Sequence, residues 1–74
     1  MLKTKTFKTC ADFCKAIRLL VEKKRHPQVL YYAVKLGYVV FDREDSWSVT
    51  YRLKDGINPT QADVLKVAEA INSL

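Results

Sequence analysis

The chain is short of the residues on which most small-protein chemistry is built. It holds 2 glycines, 2 prolines, 2 cysteines and 1 histidine among 74 residues. Gly37 and Gly56 stand far apart, so no glycine-rich loop is present to cradle a phosphate. Cys10 and Cys14, four apart, fall on one face of a helix with geometry poorly suited to an unstrained disulfide. His26 has no further histidines with which the cysteines could complete a metal site, so no metal and no other cofactor is expected. It also has no serine or thiol partner at a spacing that makes a nucleophile and base, which argues against an enzyme. Asp42, Glu44 and Asp45 cluster, but the calcium-loop spacing is missing and a solvated turn accounts for them.

Long apolar runs are absent too. No stretch approaches the roughly 20 residues that a membrane-spanning helix needs. The opening "MLKTKTFK" is basic but is not followed by the apolar core of a secretory signal. A cytoplasmic protein with no membrane partner is therefore expected. Scarcity of glycine and proline, with 49% of residues apolar, excludes a disordered chain. The length fits one small domain over residues 1–74, with 1–8 as a basic arm or short edge strand.

What is abundant is positive charge, and it is unevenly spread. Residues 1–35 carry nine Lys or Arg against two acids, a net of +7, whereas 36–74 carry four against six, a net of −2. Such polarity points to a polyanion or an acidic protein surface as partner.

Periodicity predicts the elements. Thr9 followed by Asp12 has the form of a helix start. Beyond it Cys10, Phe13, Cys14, Ile17, Leu20 and Val21 recur at steps of three and four, predicting an amphipathic helix to about Arg25. Pro27 opens a second helix over 27–36 that Gly37 closes, although Val29, Tyr31, Tyr32 and Val34 would also suit a strand. In "YVVFDREDSWSVTYRL" the alternation of Trp47, Val49, Tyr51 and Leu53 with Ser48, Thr50 and Arg52 predicts a hairpin with one buried face. After the turn at Asp55-Gly56, Asn58 is expected to cap a last helix, with Pro59 in its first turn and Val64, Val67, Ala68, Ile71 and Leu74 as its apolar stripe.

The fold class is thus α+β, in the order helix–helix–β-hairpin–helix. Two helices, a tight turn and a hairpin resemble a helix-turn-helix with a wing in element order. The segment in the recognition position offers only Gln28 and Lys35 to base edges, which argues against sequence-specific reading. With a strand at 27–36 the order would look like a double-stranded-RNA-binding domain, but the last helix lacks a starting lysine cluster. No family follows from either likeness.

Function is expected to be binding. Lys15, Arg18, Lys23, Lys24 and Arg25 are the candidate phosphate contacts, joined by Lys35, with Tyr31 or Tyr32 as a stacking or hydrogen-bonding contact. The alternative is a protein-interaction or inhibitor module, of the kind compact genomes such as those of phages encode, docking on an acidic protein. Open hairpin edges make a homodimer a third expectation.

Overall fold

The computed structural model describes residues 5–74. Its element order is α1 (Cys10–Arg18), a 3₁₀ turn (Lys23–Arg25), α2 (Pro27–Lys35), β1 (Val39–Glu44), β2 (Val49–Leu53) and α3 (Gln61–Asn72). The α+β class and the helix–helix–hairpin–helix order stand as expected.

Thr9 caps α1, its hydroxyl accepting from the Asp12 N–H at 3.1 Å. The helix is shorter than its apolar spacing predicted, ending at Arg18 rather than near Arg25. Leu20 N–H turns back to the Ile17 carbonyl and Glu22 is extended, yet Val21 still reaches the core. His26 makes this possible: its Nε2 lies 3.0 Å from the Arg18 carbonyl and 3.2 Å from that of Val21. Bonding either carbonyl requires the tautomer protonated at Nε2. The ring gives the Val21 carbonyl a partner and adds a second to the Arg18 carbonyl, which already accepts from the Val21 N–H at 3.4 Å.

Residues 27–35 are helical, which removes the strand alternative. Pro27 sits in the first turn, where its missing N–H costs no hydrogen bond. At the other end Gly37 adopts φ 88°, donating to Val34, while Tyr38 N–H reaches back to Ala33. This six-to-one and five-to-two pairing is a Schellman close, and the positive φ makes glycine the fitting residue there.

β1 and β2 pair antiparallel, with Val39 opposite Leu53 and Phe41 opposite Tyr51, and a bulge falls between Phe41 and Arg43. The hairpin rests on α1 and α2. Only its base is covered. Val39 is buried, and Tyr51 and Leu53 are half-buried, but residues 41–49 are all exposed and Trp47 lies in the connection at 89% exposure. The alternation identified the face correctly, but the helical layer is too short to cover its distal half.

Thr60, not Asn58, caps α3; Asp63 Oδ2 accepts from the Thr60 N–H at 2.8 Å. Pro59 precedes the cap and is fully buried, as is Val64 at the fourth helical position, the two sites of a hydrophobic staple. Leu74, expected in the apolar stripe, is exposed beyond the end of α3.

Phe13 and Ile17 of α1, Val29 and Ala33 of α2, Val39, and Val64, Val67 and Ile71 of α3 form the centre of the core. Every one is apolar, and no buried side-chain N or O lacks a partner among the described residues.

Candidate nucleic-acid interface

The described part of the N-terminal arm, residues 5–8, lies against the start of α3 rather than against the hairpin. Phe7 N–H donates to the Pro59 carbonyl at 2.8 Å, and Thr6 makes an antiparallel bridge with Thr60. Phe7 turns inward, its ring 6.0 Å from that of Phe13. Pinned in this way, the arm runs beside the stripe Asp12, Lys15, Ala16 and Leu19 of α1 and its continuation, residues three and four apart on one helical face. Between arm and helix lies an open cleft of about 560 Å³, to which Lys5, Lys8 and Lys15 contribute, with Gln61 of α3. Asp12 is the one acidic residue among the described residues of its wall, leaving that lining with a net positive charge.

Of the expected contacts, only Lys15 belongs to this cleft. Lys5 and Lys8, which complete it, were visible in the sequence as arm residues, but nothing local indicated that the arm would lie against α1. Lys3 falls outside the described residues.

The other expected residues lie outside the lining of this cleft. Arg18 borders a second groove, of about 290 Å³, between α1, Leu30 and β2. Lys23 and Lys24 are exposed on the 3₁₀ turn, with Lys24 Nζ 3.3 Å from Glu22. Both partners of that pair are solvated, so it contributes little to stability. Arg25 is engaged within the fold: its Nη1 donates to the carbonyls of Ile71 at 2.8 Å and Leu74 at 3.1 Å. A cation there adds a donor to carbonyls at the C-terminal end of α3, where the Ile71 carbonyl also accepts from the Leu74 N–H, and meets the negative end of the helix dipole.

Tyr31 and Tyr32 divide as their 100° angular offset requires. Tyr32 packs against the core while Tyr31 is 58% exposed, and their rings lie 5.4 Å apart. Lys35 Nζ sits 5.8 Å from the Tyr31 ring centre and 5.5 Å from that of Tyr32. The three form a cation–aromatic cluster on the outer face of α2.

Two of the described groups have raised pKa values. Burial, then the adjacent Cys10, pushes the Cys14 thiol up to about 12. Burial and donation to Asp63 push the Tyr38 phenol up to about 12 as well. A thiol held protonated is a poor nucleophile. Among the described residues no three His, Cys, Asp or Glu side chains gather as metal ligands would. No helix of the described residues is long and apolar enough to cross a membrane.

No protein-family model matches the chain, and no curated protein or solved structure is significantly similar to it.

Proposed function

We propose that this protein is a small non-enzymatic regulatory protein that binds nucleic acid by its phosphate backbone, in the cleft between the N-terminal arm and α1. The supporting observation is that Lys5, Lys8 and Lys15 all line that one cleft, with Asp12 as the one acid among its described lining residues. Lysine suits such a role because its ammonium is a flexible point charge that follows a backbone without reading bases. Gln61 adds an amide that can donate to a phosphate oxygen. Arg25 is left out of the contact set, because its guanidinium serves α3. The test is a titration with labelled single- and double-stranded oligonucleotides at low and moderate salt. Binding that weakens steeply with salt supports the reading; no binding at low salt ends it.

A second reading has its own observation. Tyr31, Val34 and Leu36 are exposed along and just beyond α2, beside Lys35. An apolar face with an aromatic and a cation suits a contact with an acidic protein. The same titration separates the two, since this reading predicts no oligonucleotide binding at either salt.

A further inference from the structure

The exposed half of the hairpin is continuous with a recess beneath it. Register places Val39 with Leu53, Phe41 with Tyr51 and Glu44 with Val49 on one side of the ribbon. That side starts in the core and emerges at Phe41, 55% exposed, and Val49, 48% exposed, with Trp47 beyond them in the connection. Under it lies the groove of about 290 Å³, walled by Cys10, Ala11, Arg18 and Leu30, with Val49 and Tyr51 of the hairpin itself. Projection and recess therefore share Val49 and form one surface. Apolar surface gathered in this way marks a contact site, unlike scattered exposed residues.

The charges indicate what covers it. Arg18, on the groove wall, forms no ion pair with any described carboxylate, and Glu44 and Asp45 beside Trp47 form none with any described cation. Arg18 lies at the recess, and on the projection register puts Glu44 on the Val49 side and Arg43, opposite Thr50, on the other, so two copies related by a twofold axis present cation to acid. The wider polarity agrees: net +7 over residues 1–35 against −2 over 36–74 favours pairing one copy's hairpin with the other's helical half. Area points the same way. An aromatic side chain offers about 150 to 250 Å², and a stable interface needs about 800 Å² from each partner. Phe41 and Trp47 alone fall short of that, so hairpin and groove must both contribute. A twofold contact uses both from each copy.

We propose that the chain forms a twofold dimer in which each hairpin places Trp47 in the groove of the other copy, with Arg18 facing the partner's Glu44 and Asp45. The dimer does not rest on the nucleic-acid reading, and its test contains no nucleic acid. Trp47 is the chain's 1 tryptophan, so its fluorescence reports this contact alone. Sedimentation equilibrium over a wide range of protein concentration is run beside acrylamide quenching of the same samples. A monomer–dimer equilibrium is expected, with quenching falling and emission shifting to the blue as dimer forms. Trp47→Ser should weaken association by roughly thirtyfold, the loss typical of a central aromatic anchor. Arg18→Glu should weaken it also, and joining Arg18→Glu to Glu44→Arg and Asp45→Arg should restore it. A monomer at every concentration, or a dimer whose Trp47 remains fully open to quencher, overturns the proposal without needing any variant to fold.

Discussion

The Tyr38 phenol donates to Asp63 Oδ1 at 2.8 Å. It ties the residue just past the left-handed Gly37 to the first turn of α3. Asp63 Oδ2 meanwhile accepts from the Thr60 N–H and hydroxyl. A single carboxylate therefore joins the end of α2, the base of the hairpin and the start of α3.

Alkaline unfolding should expose this link. The phenol is raised from its ordinary value of 10.0 to about 12, so the fold favours the neutral form. Its contribution is complete below pH 10 and is lost as pH rises from there towards about 12. Tyr38→Phe should cost about 1 to 2 kcal/mol at neutral pH and flatten that alkaline decline. Thermal melts across the range, read beside tyrosinate absorbance, check both.

The acid limb has the opposite sign. Asp63 is held below the usual carboxylate range mainly by the Thr60 N–H, with Tyr38, the Thr60 hydroxyl and Lys66 assisting, against the opposing effect of burial. Its contribution is present above the ordinary carboxylate pKa and disappears as pH falls through the lowered one. Asp63→Ala, which removes the acceptor for both Tyr38 and Thr60, should cost at least as much as Tyr38→Phe at neutral pH, about 2 kcal/mol, and make stability less sensitive to acid. Melting temperatures of wild type and variant should converge at low pH.

Arg25 and its neighbours should behave differently from one another. Arg25→Ala removes the donor to the Ile71 and Leu74 carbonyls. A loss of about 1 kcal/mol or more is expected, lowering Tm by about 4 to 8 °C in a domain of this size. Lys23→Ala and Lys24→Ala, both exposed, should stay within about 0.5 kcal/mol of wild type. Calorimetry of the three variants distinguishes the residue that closes a helix from those that face water.

That contrast shows where local sequence stops being informative. Lys23, Lys24 and Arg25 are chemically alike and adjacent, and only the approach of α3 across the first helix gives the third a structural task. The same limit shortened the first helix. Val21 fits a 3.6-residue period, but a turn that returns it to the core fits equally well, and the side chain that bonds the turn's carbonyls, His26, comes from beyond it. By contrast, the second helix was legible because Pro27 and Gly37 have conformational preferences that act locally. The hairpin lies between these cases: alternation marks the face of Trp47, but the depth of the neighbouring layer decides whether it is covered. The start of the last helix offered two cap residues, and the acid three places after Thr60 was the distinguishing signal.

Thiol chemistry should be unequal. Cys14 is buried and its thiol is raised to about 12, while half-buried Cys10 lies 3.8 Å away, sulfur to sulfur. Alkylation of the folded protein should modify Cys10 alone, with Cys14 reacting at the rate of unfolding. Mass spectrometry of timed samples reads this, and Cys10→Ser should leave a protein almost inert to the reagent.

The most direct test of the cleft is the salt slope of oligonucleotide affinity, measured for wild type and for Lys15→Ala. Three lysine contacts on a duplex predict a slope of log K against log salt near −2.7, and removing Lys15 should reduce it by about 0.9 with melting temperature unchanged. A slope that Lys15→Ala leaves untouched would contradict a phosphate contact at the arm and α1.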